Sequence, residues 1–258
     1  MGDLGNVGIG NRIFQELRQG GNCGNPFIVI IVTAWEKNAA LIKKVVSSGA
    51  DDLLLRPFST ALLGSRIESH IERRKGFVIT TDYVGPDRRK DSSRPSNVEL
   101  FEPPNSLKMK AKERLSAEAI AKKLDAELKS AREKLTSEKL RRDTFQVCIL
   151  WRLMQDGRTG EAADADIQKL HELTKSIARR CREAEADAAL EWCDSILAAA
   201  EGLKLGVDRN ASMHLLGHAS LSLHQTFHPE KSAADQLAEI DATVAIIRAR
   251  NTQDALAS

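Results

Sequence analysis

The apolar and polar positions of the chain predict a strand–helix–strand unit near its amino terminus. Two short apolar runs, Phe27–Val32 and Leu53–Leu55, flank a segment whose apolar residues recur at helical spacing, and Gly49 ends that segment. This order predicts a strand, a helix and a second strand. A crossover connection of this kind makes the two strands parallel, and their nearly continuous apolar character indicates a sheet covered on both faces.

Polar residues follow each predicted strand. Thr33 and Ala34 come after the first strand, and Arg56 and Pro57 come after the second. Ligands of open parallel sheets bind outside the carboxyl ends of the strands. The sequence therefore predicts that any site in this region includes Thr33 and Arg56.

These residues resemble the carboxyl-terminal half of a two-component response-regulator receiver domain. The matching stretches are Thr33-Ala34, the turn Gly49–Asp52 and Arg56-Pro57-Phe58, and residues 10–18 are similar to the entry into the family's third helix. Ser59 is a predicted N-cap, and the last receiver helix is expected to bury Leu63, Ile67 and Ile71. The resemblance covers residues 3–75. It implies a partial CheY-like receiver, a flavodoxin-like βαβα fragment with parallel strands.

The resemblance also implies roles for individual residues. Thr33 and Arg56 would contact phosphoryl oxygens, Leu53 would occupy the switch position, and Pro57 is a candidate for a cis peptide bond. Two positions depart from the family pattern, because Arg56 stands where lysine is usual and Leu53 where an aromatic residue is common. An arginine does not place a compact ammonium group as lysine does. The alternative interpretation of Thr33 and Arg56 is a capping hydroxyl and a surface cation.

The acidic part of a receiver has no clear counterpart in the sequence. A complete receiver holds Mg²⁺ with an acidic pair and a phosphoacceptor aspartate, and hard cations of this kind need such oxygen ligands. Asp3 lies one residue from the expected acceptor position and is at most a vestigial phosphoacceptor. We therefore expect a receiver truncated at its amino terminus that is not phosphorylated and has no cofactor. Mg²⁺ is implied only for a complete receiver. Truncation would leave Ile28–Val32 as an open apolar edge.

Residues 76–105 predict a proline-rich linker with one short extended piece, Phe77–Thr81. Within it, Arg88 and Arg89 follow a Gly-Pro-Asp turn. An arginine pair of this kind can clamp a phosphate or a carboxylate, since its planar fork matches both groups. A turn with solvated arginines explains the same residues, and both interpretations stay open.

The remainder of the chain is predicted to be helical. Asn105 or Ser106 is expected to cap one long charged helix over residues 106–155, whose apolar seam suits a signalling helix or a dimer stem. Residues 156–251 predict an antiparallel helical bundle, because four apolar stripes are joined by short loops. The seam consists of Ile120, Leu124, Leu128, Ala131 and Leu135; the stripes are Ile167, Leu170, Leu173, Ile177; Leu190, Cys193, Ile196, Leu197; Leu215, Leu216, Ala219, Leu223; and Leu237, Ile240, Val244, Ile247.

Four histidines, His214, His218, His224 and His228, fall on one predicted helix as two pairs spaced four residues apart. Such pairs can present imidazoles to a metal, although no carboxylate lies between them. His214 is also similar to the phosphorylated histidine of phosphotransfer bundles. However, Gly217 comes one residue early for that motif and no lysine precedes it. An ordinary helix with mixed faces is the remaining alternative.

The net charge, the cysteines and the length of the apolar stretches limit the classes of function that the protein can have. The net charge of +2 does not indicate a nucleic-acid or membrane partner, and the four cysteines form no CxxC pair. No apolar stretch approaches 18 residues, and no catalytic motif is evident. We therefore expect a cytoplasmic protein that is not an enzyme.

The sequence predicts a response-regulator-like protein of a bacterial two-component phosphorelay. Its expected partner is a histidine kinase or another phosphorelay protein, and a homodimer is possible. Two alternatives remain. The first is a helical scaffold or dimerisation protein that carries a relic receiver, and the second is a histidine-phosphotransfer-like bundle.

Overall fold

The computed structural model describes residues 12–20, 24–36, 38–89, 100–156 and 161–257. The described part is mostly helical and contains a small two-stranded parallel sheet and a short hairpin. Two compact units, Met1–Leu135 and Thr136–Ser258, divide the chain. The elements are α1 (12–18), β1 (Ile31–Ala34), α2 (Ala39–Ser47), β2 (Asp52–Leu55), α3 (Thr60–Glu72), β3 (Phe77–Ile79), β4 (Val84–Pro86), α4 (Ser106–Lys112), α5 (Ala117–Met154), α6 (Glu161–Glu183), α7 (Asp187–Leu205), α8 (Arg209–Phe227) and α9 (Ala233–Ala257).

The predicted strand–helix–strand unit is confirmed, because β1 and β2 pair in parallel with Thr33 opposite Leu54. The first strand is shorter than predicted and begins at Ile31 rather than Phe27. Arginine side chains explain the difference. Arg18 bonds the carbonyl oxygens of Pro26 and Ile28, at 2.6 and 2.8 Å, so these groups do not take part in a strand ladder.

The sheet is covered less completely than its apolar strands predict. Ile30, Leu41, Val45 and Ala50 form its buried core, with partly buried residues of α1 packed beside them. The prediction that α3 buries an apolar stripe is wrong: no residue of α3 is buried, and its three predicted positions are only half-buried. A sheet of two strands with four residues each offers too little surface to cover a helix of 13 residues.

Residues 77–89 and 100–101 pack together within the segment for which a linker was predicted. β3 and β4 pair antiparallel, and Phe77 bridges to Phe101. Phe77 is fully buried, and its ring lies 6.2 Å from that of Phe27. The apolar cluster around these rings also contains Leu128 and Leu135 from α5. The described part of this segment therefore contains the predicted extended piece as β3, and apolar residues distant in the sequence cover it.

The predicted single helix over 106–155 is divided into α4 and α5. Asn105 caps α4, and Ser116 accepts a hydrogen bond from the Ala119 amide at 3.2 Å where α5 begins. A side-chain acceptor at that position satisfies a free amide and so starts a new helix. Three residues of the seam predicted to form a dimer stem, Leu128, Ala131 and Leu135, are buried within the first unit.

The second unit has its own apolar core, built from α6, α7, α8, α9 and the last part of α5. The predicted stripes supply most of it, including Leu170, Ile196, Leu223 and Ile240, all of which are fully buried. Leu215 is an exception with 42% exposure. Among the described residues, none of the helices is both long enough and apolar enough to cross a membrane.

Candidate functional site

Thr33 and Arg56 meet at the carboxyl end of the parallel sheet. Thr33 is the third residue of β1, and Arg56 follows the last residue of β2. The Arg56 Nε donates a hydrogen bond to the Thr33 Oγ1 at 3.1 Å, and the Arg56 amide donates to the Ala34 carbonyl oxygen at 2.7 Å. The structure therefore brings together the two side chains for which the sequence predicts a shared site.

The backbone and an aromatic ring set the position of the Arg56 guanidinium. The peptide bond between Arg56 and Pro57 is cis. The guanidinium carbon lies 5.5 Å from the centroid of the Trp35 ring, within the range of a cation–π contact. Trp35 itself is 73% exposed. The result is an exposed cation and a half-buried threonine hydroxyl beside a solvent-facing indole, a surface that can accept an oxyanion or a partner.

Leu53, the predicted switch position, lies opposite Val32 in the sheet and is partly buried against its core. An aliphatic side chain has no hydroxyl group or aromatic ring whose position could change with the Thr33 rotamer. Asp3, the predicted vestigial phosphoacceptor, lies outside the described residues.

The nearby carboxylates are not placed to hold Mg²⁺ beside Thr33. Asp51 uses one oxygen for Arg74 and the other for Arg18 and the Ile30 amide. Asp52 begins β2 and so lies at the other end of the strand from Arg56. In the part of the chain that the structure describes, no group of three or more His, Cys, Asp or Glu side chains is arranged for a metal ion. These residues therefore do not fit a receiver's metal pocket.

A buried cluster of charged side chains holds the Gly49–Asp52 turn, which leads into β2. Arg18 and Asp51 have side chains only 1% and 2% exposed, and their ion pair spans 2.7 Å. Arg74 contacts the second oxygen of Asp51 at 3.1 Å. Burial lowers the pKa of Arg18 to about 10 and also lowers the pKa of Arg74, while the charge of Asp51 opposes both shifts. Both guanidinium groups also contact the Phe77 ring, whose centroid lies 5.1 and 5.0 Å from their central carbons.

The two arginines of the Gly-Pro-Asp turn have different partners. Arg88 reaches the Gly49–Asp52 turn and donates hydrogen bonds to the carbonyl oxygens of Ala50 and Asp51. Arg89 instead pairs with Asp87 at 2.9 Å. Arg88 therefore binds backbone carbonyls, an arrangement that neither interpretation of the sequence includes.

The four histidines of α8 and its C-cap separate into an exposed pair and a buried pair. His214 and His218 are exposed, while His224 and His228 are buried with ring centroids 4.0 Å apart. Burial, and then neighbouring positive groups, lower the pKa of His224 to about 3. His218 makes an edge contact with Trp192 at 5.5 Å. The structure does not gather the four imidazoles into one site.

Gly217, the glycine of the phosphotransfer-like pattern, packs against Trp151. A Cβ at this position would lie 2.6 Å from two carbons of the indole ring. The glycine therefore allows α8 to approach the indole of α5, which is a packing role. His214, three residues earlier, is an exposed helical histidine.

Sequence reasoning missed the buried cluster in which Asp51 pairs with both Arg18 and Arg74. The available signal was weak, since Asp51 stood in the recognised turn and Arg74 in a basic run, and such runs are usually solvated.

Comparison of the chain with protein-family models, curated proteins and solved structures finds no match.

Proposed function

We propose that residues 12–75 form the carboxyl-terminal half of a receiver and that the chain is a response-regulator-like component of a cytoplasmic two-component phosphorelay. The observation that carries the proposal is the hydrogen bond from Arg56 to Thr33 across the ends of two parallel strands. A cation and a hydroxyl at this edge suit a phosphoryl group, because both donate to its oxygens.

The proposed role is binding rather than catalysis. The described carboxylates do not complete a metal pocket beside Thr33, and no step of phosphoryl transfer is assigned to them. The Thr33–Arg56 edge would instead contact a partner of the phosphorelay, such as a histidine kinase. The exposed indole of Trp35, which contacts Arg56, would extend that contact surface.

The test measures binding of the full chain to purified histidine kinase domains from the same organism. We expect at least one kinase to bind, and the variants Thr33→Val and Arg56→Gln to weaken that binding about tenfold, since each removes a polar contact. Arg179→Gln is the control, because Arg179 is exposed on α6 and pairs only along its own helix with Glu183. Absence of any bound kinase, or equal affinities for all variants, contradicts the proposal.

A scaffold or dimerisation role is the second candidate, and exposed apolar residues of the second unit favour it. Leu205 and Val207 are 67% and 61% exposed at the end of α7, and Leu215 is 42% exposed on α8. Sedimentation of the wild-type chain and of Val207→Asp distinguishes this role. A dimer that the aspartate dissociates supports the scaffold, and a monomer at all concentrations excludes it.

A further inference from the structure

A pocket of about 230 Å³ lies at the opposite end of β2 from Arg56 and is lined mainly by positive side chains. It is formed by the second half of α3, the start of β2 and the hairpin strand β4. Arg66, His70 and Arg73 come from α3 and its C-cap, Lys75 follows them, and Arg88 comes from the end of the hairpin. We call this cavity the basic pocket. It shares none of these residues with the Thr33–Arg56 edge.

The charges of the basic pocket do not balance. Four arginine and lysine side chains line it, against the two carboxylates Asp51 and Asp52. Asp51 is already bound by Arg18 and Arg74, neither of which lines the pocket. Asp52 is therefore the carboxylate that faces the lining cations, and its Oδ2 lies 3.5 Å from Arg66. An excess of positive charge in a concave site attracts anions.

Two donors in the pocket lack hydrogen-bond partners among the residues that the structure describes. The Nε of Arg88 and the Nε2 of His70 are both buried without a partner. The His70 nitrogen lies 3.6 Å from the Asp52 Oδ2, which is beyond hydrogen-bond distance. Buried donors are normally satisfied, and a ligand with several acceptor oxygens would satisfy them.

Arg73 and Lys75 leave the mouth of the pocket available to a ligand. Arg73 is exposed, and its side chain makes no ion pair with any described residue. Lys75 is also exposed, and its ammonium donates only a long bond of 3.3 Å to the Asp87 carbonyl oxygen. Both side chains can turn toward an anion without breaking a buried contact.

We propose that the basic pocket binds a small oxyanion with two negative charges, either inorganic phosphate or a phosphate monoester. Its volume is below the roughly 300–1,000 Å³ of sites for drug-sized molecules, which favours a small ligand. The guanidinium groups of Arg66 and Arg73 provide planar forks that match phosphate oxygens. Arg88 adds its Nε, since its terminal nitrogens already bond backbone carbonyl oxygens. Arg66, Ser69 and Arg73 also line a wider surface depression of about 620 Å³, where the carrier of a monoester would lie.

Calorimetric titration of the full chain with potassium phosphate, against potassium chloride of equal ionic strength, tests the proposal. We expect saturable heat with phosphate only, and a change in the ring nitrogen resonances of His70. Arg73→Gln and Lys75→Gln should each weaken binding about tenfold, because each removes one charge-assisted contact. Both side chains are exposed, so both variants should fold.

Arg89→Gln is the matched control, since it removes the same charge from a position one residue beyond Arg88, and Arg89 pairs with Asp87 outside the pocket. It should change the affinity by less than about twofold, as expected for an exposed ion pair. Titration with phosphoserine distinguishes the two ligand sources: tighter binding than phosphate indicates a monoester, and weaker binding indicates free phosphate. Absence of saturation with both probes, or an equal loss in Arg89→Gln and Arg73→Gln, overturns the proposal.

Discussion

Arg18 donates a hydrogen bond from its Nη2 to the Asp51 Oδ2 at 2.7 Å, and both side chains are almost completely buried. The pair joins α1 to the turn before β2, over a separation of 33 residues. Arg18 additionally bonds the carbonyl oxygen of Gly49 at 2.9 Å. A single charged side chain therefore satisfies backbone groups on both sides of the first strand.

Loss of this side chain should destabilise the first unit strongly. Arg18→Gln leaves the Asp51 carboxylate buried with one of its two arginines missing, and removal of one partner of a buried pair costs about 3–5 kcal/mol. Urea unfolding measures the change. Arg12→Gln is the control, because Arg12 is exposed on the same helix and pairs only with Glu16. A similar loss in both variants would show that Arg18 acts through general charge rather than through its buried bonds.

Truncation of Phe77 should show that the hairpin belongs to the core. Phe77→Ala removes a fully buried ring that two guanidinium groups contact, and such truncations cost about 3–5 kcal/mol. Leu100→Ala is the control from the same segment, since Leu100 is 41% exposed. Chemical denaturation compares the two. If Phe77→Ala unfolds at the same denaturant concentration as the wild type, the hairpin is not part of a stable core.

Two glycine substitutions should have opposite effects. Gly217→Ala places a methyl group 2.6 Å from the Trp151 indole and should destabilise the protein by about 1–3 kcal/mol through overpacking. Gly64→Ala, within α3, meets nothing within 4 Å and should stabilise it by about 0.5–1 kcal/mol through helix propensity. Thermal unfolding gives both signs, and tryptophan fluorescence reports on the indole in Gly217→Ala. A stabilising Gly217→Ala would contradict the packing role.

The buried His224 should make the protein less stable in mild acid. Its pKa is lowered from 6.5 to about 3, by burial first and then by the charges of His228, Lys231 and Arg141. Below pH 6.5 the unfolded chain therefore binds a proton that the native chain does not, so stability falls as the pH falls. The loss continues until the pH reaches the native pKa.

Unfolding free energies at pH 7 and pH 5 measure this effect. His224→Gln should reduce the difference between the unfolding free energies at pH 7 and pH 5 by about 2 kcal/mol. This is the effect of one proton that the unfolded chain binds below pH 6.5 and the native chain does not. His228, whose pKa burial also lowers, keeps its own contribution. His214→Gln is the control variant, because it makes the same substitution at an exposed position of the same helix. An unchanged pH dependence in His224→Gln would show that His224 does not titrate in this way.

The parts of the fold that were predictable depend on local patterns. The apolar runs around Val32 and Leu54, with Gly49 between them, specify a strand–helix–strand unit within some 30 residues. The bond between Thr33 and Arg56 follows from that unit, because parallel strands end at the same edge. The helices of the second unit were predictable for the same reason, since their apolar stripes have a clear period.

The remaining features depend on contacts between distant residues. Phe77 is buried by Phe27, Phe101 and α5, and of these partners only Phe101 lies in the same segment, 24 residues further along the chain. A single buried ring within a run of proline, serine and arginine has no period. Likewise, Arg74 stands in a basic run that looks solvated, although it is bonded to Asp51 and to the Phe27 carbonyl oxygen.

The close approach of the hairpin to the Gly49 turn determines where the amino-terminal half can be cut. A Cβ on Gly85 would lie 2.7 Å from the Gly49 Cα, and a Cβ on Gly49 would lie 2.5 Å from the Val84 carbonyl oxygen. The two backbones therefore touch with no side chain between them. A recombinant fragment that stops at residue 75, where the receiver resemblance ends, would uncover this contact and expose aromatic surface that favours precipitation. Protein engineers who want the sheet alone should retain the chain through Leu135.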